Sequence, residues 1–227
     1  MKTTIDSNSR RKFLGALALG ATASTIGILT NPIYASTPEL DIKRMDDSEE
    51  WFKNIKGDHR IVYDGSTPHD GFPIIWNWAF YLSNNGTGTT DENMTAMTVL
   101  RHEAIPLALE IRLWEKYNLG EVFHVTDNST KKPSLRNPYC EPQEGDFPLP
   151  PIEGIKRMQE RGAMFCVCDL ATNVYSNAVA TQMNLDPTEV YNDWVSGVLP
   201  NIQLVPSGVW ALGRAQEHGC GYIFAGK

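Results

Sequence analysis

From about residue 58 onward, short apolar runs alternate with amphipathic stretches. Arg60, Ile61, Val62 and Tyr63 read as a strand stopped by Asp64 and Gly65. A loop with Pro68, His69 and Gly71 leads into an aromatic helix over 73–82, which Asn84, Asn85, Gly86 and Gly88 end. A second strand over 95–100 finishes in Arg101, His102 and Glu103. Leu107, Ile111 and Trp114 then share one face at helical spacing, which predicts a single helix over 104–117 with Gly120 as its C-cap. A long irregular region over 121–151 follows, with an extra strand expected at 122–125 and a functional or mobile cover in the remainder. Beyond it the pattern predicts a helix over 152–161, a strand over 163–167, helices over 172–183 and 186–198, a strand over 202–205, a helix from Gly208 to about 218, and a last strand over 222–225. Such alternation is the signature of a parallel sheet with covering helices, here one α/β domain over 58–227. Residues 36–57 are polar and charged, a loose arm with one short helix and with Trp51 and Phe52 as docking points.

The amino terminus departs from this pattern. Ser9, Arg10, Arg11, Lys12, Phe13 and Leu14 form a twin-arginine motif, followed by an Ala/Gly-rich apolar run and a small-residue site ending at Ala35. The run is short and interrupted by Gly15, Gly20 and Gly27, so it reads as a removable signal over 1–35 and not as a membrane anchor. Export to the periplasm is the expected outcome, with no membrane association after removal. Residues 1–35 carry Lys2, Arg10, Arg11 and Lys12 against Asp6, so their loss moves the formal charge from -7 to -10. A chain this acidic has no basic surface to meet phosphates, which argues against a nucleic-acid partner.

Candidate chemistry follows from the order of strands and helices. Ligands of an open parallel sheet gather at the carboxyl ends of its strands, where helix amino termini also point. That edge should collect Asp64, Arg101, His102, Cys168 and Ser207. In Met164-Phe165-Cys166-Val167-Cys168-Asp169 a strand runs into a helix, and a thiol there sits in a field that favours the thiolate. Cys166 is expected to be a small core residue and Cys168 the candidate thiol, although a second core residue fits position 168 equally well. His102 suits an acid/base or anion-binding role, or simply bonds the start of its helix. Arg101 can bind an anion or pair with an acid such as Glu103. Asp64 is first a turn-former, and Ser207 first an N-cap, since no Gly-x-Ser-x-Gly elbow surrounds it.

The segment between the two middle helices must climb back to the ligand edge, so Cys140 could meet Cys168 in a disulfide; an isolated exposed loop cysteine is the equal alternative. Cys166, Cys168, His218 and Cys220 have the residue types of a zinc site. Their pairs should nevertheless lie a strand length apart, so no metal site is expected. Gly86 and Gly88 match no phosphate-binding loop, and no motif specifies a cofactor. Trp76, Trp78, Phe80 and Tyr81 read as core and dimer surface.

The segments Val99 to Ile105 and Met164 to Thr172, the run Leu204-Val205-Pro206-Ser207-Gly208-Val209 and the closing Tyr222-Ile223 strand resemble the DsrE/DsrF-like sulfur-relay family, in its exported branch. The resemblance spans about 58–226. It implies a three-layer α/β/α fold with a five-stranded, mostly parallel sheet, assembly into a homo-oligomer, and a cysteine carrying sulfane sulfur as a persulfide. Cys168 matches that cysteine by position, though Asp169-Leu170-Ala171 differs from the glycine-rich turn of the best-studied carriers, and Cys220 precedes the last strand and is no carboxyl-terminal docking cysteine. The implied partners are a small sulfur species or anion and a periplasmic protein. A non-enzymatic anion- or cofactor-binding accessory of an oxidoreductase system is the alternative reading.

Overall fold

The computed structural model describes residues 42–227; the signal expected over 1–35 lies outside them. Five parallel strands form one sheet in the order β4-β3-β2-β1-β5: β1 (His59–Gly65), β2 (Met94–Leu100), β3 (Met164–Cys168), β4 (Ile202–Val205) and β5 (Gly221–Phe224). Helices cover both faces, giving the expected three-layer α/β/α fold with every strand pair parallel. All seven positions of β2 are buried, as a central strand covered on both faces requires.

The two faces have separate cores. On the first, the helix α2 (Phe72–Gly86), α5 (Ile155–Glu160), α6 (Asp169–Met183) and α7 (Pro187–Ser196) pack on Ala96, Leu100, Phe165, Val167 and Ile202. Trp78 and Tyr81 of the aromatic helix are buried here, with Trp76 and Phe80 packed partly beneath them, so its aromatic face belongs mainly to the core. On the second face, α8 (Gly208–Glu217) and the amino-terminal helix α1 (Ile42–Phe52) pack on Val62, Met97, Val99, Met164 and Cys166.

Three local expectations are corrected. The arm, described from residue 42, has the expected short helix and docks through Phe52 and Trp51, but it is not loose. Phe52 and Ser48 are fully buried, and Phe52 meets Trp210 edge-on at 5.6 Å and stacks on His218 at 6.0 Å. The single helix over 104–117 is instead a 3-10 turn, His102–Ala108, and a short α3 (Ile111–Lys116), with extended backbone at Leu109 and Glu110 between them. Pro106 lacks the amide that a continuous α-helix needs there, and Leu109 bonds back to the Pro106 carbonyl at 3.0 Å, closing the 3-10 turn. The strand expected at 122–125 is displaced by the helical turn α4 (Leu119–Val122), which contains Gly120. A Cβ on Gly120 would lie 2.2 Å from the Ser134 carbonyl oxygen, so this glycine is needed for a close backbone approach and not as a cap.

The region over 121–151 is tied to the domain at several points. Asn137 donates to the carbonyls of Leu107 and Leu109 at 2.8 and 3.1 Å, and Tyr139 and Phe147 are buried over Gly71. Arg136 bridges Asp146 at 2.7 Å and Asp127 at 2.9 Å, with all three side chains largely out of solvent. Charges removed from water are tolerated only when paired in this way. No helix among the described residues is long and apolar enough to cross a membrane.

Candidate functional site

The crossover after β3 leaves on the first face through α6, whereas the crossover after β4 leaves on the second through α8. The carboxyl ends of these neighbouring strands therefore form the point where an open α/β sheet splits to admit a ligand. Cys168 stands at that point, paired in register with Val205. It is the last residue of β3 and the N-cap of α6, where its sulfur accepts a hydrogen bond from the Ala171 amide at 3.3 Å. Thr172 ties the same turn by donating to the Cys168 carbonyl at 2.9 Å. Because the strand runs through both cysteines, Cys166 and Cys168 share the second face. Cys166 is fully buried in that core, as expected, and its thiol is pushed well above the ordinary range by loss of water.

Cys168 is 6% exposed. Burial is the largest influence on its thiol and pushes it above the usual value, with the Asp169 carboxylate adding to that; the amides of Ala171, Gly208 and Leu170 pull it back. Two helix amino termini, α6 with 15 residues and α8 with 10, therefore converge on one sulfur. Both termini favour negative charge at this sulfur, but burial outweighs them, so the thiolate expected from the helix field is not the favoured form of the folded, unliganded thiol.

Arg101 and Asp64 join Cys168 on the second face. Arg101 extends β2 beside the end of β3, and its guanidinium grips Asp64 through two bonds, Nε to Oδ1 at 2.6 Å and Nη2 to Oδ2 at 2.9 Å. Asp64 is 2% exposed and takes a third bond at 2.8 Å from the Tyr222 hydroxyl of β5. These bonds, chiefly the one to Asp64, hold the Arg101 guanidinium firmly protonated, and the Cys168 thiol adds to the effect. Nη1 of Arg101 has no partner among the described residues. Asp64 is thus an anchor for Arg101 and not only a turn-former. Arg101 takes Asp64 as its acid, not Glu103.

Gly208 closes the cluster from above. A Cβ there would fall 2.6 Å from the Arg101 Cβ, so only glycine lets the α8 amide and Arg101 approach the same sulfur. Ser207 is the N-cap of α8 by position, but its hydroxyl makes no capping bond; its carbonyl accepts from Ala211 at 3.0 Å.

His102 turns to the first face instead. Its Nε2 lies 3.3 Å from the Tyr175 hydroxyl of α6, and the two rings meet edge-on at 5.7 Å. Its φ of 52° is left-handed, a strained conformation for a side chain with a Cβ, as are His69 and Asp70 at the same sheet edge. Arg101, which precedes it, is extended, so the two neighbours diverge to opposite faces.

Cys140 is not joined to Cys168: all four cysteines are free. Its carbonyl accepts from the Lys156 amide at 3.3 Å, and it lines a hollow of about 300 Å³ with Pro142, Gly154, Lys156 and Arg157 beside α5. Burial, aided by Glu141, pushes its thiol upward. Cys220 lies at the amino end of β5 near Arg60, with its thiol pushed up by burial to about 11. Among the described residues no group of three or more His, Cys, Asp or Glu side chains is arranged to hold a metal ion.

Sequence reasoning missed Tyr222, Gly208 as a contact of Arg101, and Tyr175. The signal for Tyr222 is the register that sets it opposite Val62, on the same face as Asp64, and this requires knowing that β5 returns beside β1. No protein-family model matches the chain, and no curated protein matches it.

Proposed function

We propose that the protein carries sulfane sulfur on Cys168, as a member of the sulfur-relay group its sequence resembles, and that it works in the periplasm after twin-arginine export. The observation that supports this most is the convergence of two helix amino termini and Arg101 on one strand-end thiol. With thiosulfate as donor, the Cys168 thiolate attacks the sulfane sulfur. The sulfur–sulfur bond of thiosulfate breaks, sulfite leaves with its electron pair, and the new bond makes Cys168 a persulfide. The thiol proton leaves to solvent when the thiolate forms, and the persulfide's terminal sulfur keeps the single negative charge that the thiolate brought, so charge and atoms balance. The amides of Leu170, Ala171 and Gly208 stabilise the terminal negative charge, and Arg101 receives the departing dianion. Incubating reduced protein with thiosulfate or polysulfide and weighing the intact protein tests this reading.

The low exposure and raised thiol of Cys168 favour a second reading, a module that binds a small anion at the same crevice for an oxidoreductase system without chemistry at sulfur. Calorimetric titration of Cys168→Ser with sulfate or sulfite distinguishes the two: undiminished binding in a chain that never accepts sulfur supports the module. Assembly into a homo-oligomer finds support in Tyr222, Ile223 and Phe224, three consecutive exposed apolar residues on the edge strand β5. Light scattering of the mature chain checks it, and a strict monomer refutes it.

A further inference from the structure

We propose that Tyr222, through Asp64, is a positioning residue for Arg101, and that this chain of contacts makes the Cys168 site selective for anionic over neutral reactants. The inference rests on the reading of Cys168 as a working thiol. Three observations support it. Asp64 is almost wholly buried and uses both oxygens on Arg101, so it fixes the plane of the guanidinium and does not merely neutralise it. Tyr222 supplies the further donor to Oδ2 at 2.8 Å although the residue is 46% exposed on the edge strand. Gly208 touches both parties, because its amide faces the Cys168 sulfur and its Cα is pressed against the Arg101 side chain.

The outcome is a division of labour within one guanidinium. Nε and Nη2 are committed to Asp64, and Nη1 remains for a ligand. A dianion such as thiosulfate gains a charge-assisted bond there, whereas an uncharged sulfur donor of similar size gains nothing. Loss of the Tyr222 hydroxyl leaves Asp64 with one donor fewer and lets the Asp64–Arg101 pair rotate. The titratable groups beside the sulfur are Asp169 of α6, Cys166 of β3 and Arg101 after β2, and Asp64 of β1 and Tyr222 of β5 stand behind Arg101; Tyr222→Phe alters this relay without changing the charge of the site.

The test compares alkylation of Cys168 by iodoacetate and by iodoacetamide, with peptide mapping to separate it from the other cysteines. Both reagents consume the same thiolate, so the ratio of rates reads the charge preference of the site and cancels the thiol's own ionisation. Wild-type protein is expected to favour iodoacetate, relative to a free cysteine peptide. Arg101→Met should lower the ratio roughly tenfold and Tyr222→Phe about two- to threefold, while Tyr222→Phe added to Arg101→Met should change nothing further. That last equality is what a merely structural tyrosine would not produce. An unchanged ratio in Tyr222→Phe, or an equal drop in both backgrounds, overturns the proposal while leaving Cys168 as a working thiol. If neither reagent modifies Cys168 in the folded wild-type chain, the reading of Cys168 itself fails, and this proposal fails with it.

Discussion

Arg101 lies so close to Gly208 that a Cβ at position 208 would come within 2.6 Å of the Arg101 Cβ. The carboxyl end of β2 and the start of α8 are thereby packed backbone against side chain, at the sheet edge that carries Cys168. Gly208→Ala should force Arg101 or the helix to shift, at a cost of about 1–3 kcal/mol. Chemical denaturation measures the loss, and sulfur loading should fall with it. Gly213, on the same helix with open space around it, is the control, and Gly213→Ala should leave stability unchanged or raise it slightly.

Cys168 has a structural duty beside the chemical one proposed for it, since its sulfur caps α6. Cys168→Ser keeps an acceptor at the cap and should hold stability within a few tenths of a kcal/mol, whereas Cys168→Ala should lose about 1 kcal/mol. Neither variant should accept sulfur. The pair separates the thiol from the cap in two melting curves and one mass measurement.

The opposite placements of Arg101 and His102 rank them. His102 faces Tyr175 on the first face, and Arg101 faces Cys168 on the second. Arg101→Met should slow sulfur loading of Cys168 roughly tenfold or more, and His102→Ala by no more than about threefold, a gap of less than 1.4 kcal/mol in the barrier for histidine against more for arginine. Loading rates from thiosulfate in the two variants decide it, and the reverse order would restore histidine as the principal group.

How much of this was legible beforehand depends on range. Strand-forming runs such as Ile61-Val62-Tyr63 and the cysteine strand announce themselves locally, because a buried parallel strand is continuously apolar. Their carboxyl ends follow directly, which is why Asp64, Arg101 and Cys168 could be placed on one edge. Which face each side chain takes could not be read, because it depends on φ at His102 and on the side of the sheet to which each crossover turns. Tyr222 was hidden for a further reason: the crossover through α8 spans the whole sheet, and nothing local in Gly221–Phe224 says that it returns beside β1. The helix expected over 104–117 failed at Pro106, where periodicity outweighed the missing amide. In the amino-terminal arm the short helix and the docking points Trp51 and Phe52 were legible, and only the looseness inferred from the charged composition was wrong for the residues from 42 onward.

Phe52 supplies the next prediction. It is fully buried between α8 and the sheet, in contact with Trp51, Trp210 and His218. Phe52→Ala should cost about 3–5 kcal/mol, as large aromatic truncations in a core do, and deleting the chain through residue 52 should expose the second core outright. Urea unfolding of the variant checks the value. A loss below 1 kcal/mol would return α1 to the status of a loose arm.

Stability at high pH should be limited by buried thiols. The Cys220 thiol is raised from its ordinary value of 9.0 to about 11 in the fold, and burial raises Cys166 as well. An acid whose folded value lies above its unfolded one binds more protons when folded, so its contribution is complete below pH 9 and is lost as pH rises through the folded value. Stability should therefore fall between about pH 9 and 11, with Cys220 accounting for roughly 2 kcal/mol of the decline. Cys220→Ala should flatten the curve over that window and leave neutral-pH loading of Cys168 intact, as denaturation at stepped pH would show.

Whether Cys168 carries sulfur is decided by the intact mass of the protein after loading. Reduced protein incubated with thiosulfate or polysulfide should gain the mass of one sulfur atom, reversible with dithiothreitol, mapped to the peptide containing Cys168 and absent in Cys168→Ser. A fully reduced mass under conditions that load a known carrier, or an adduct that maps to Cys140 while Cys168 stays unmodified, would contradict it.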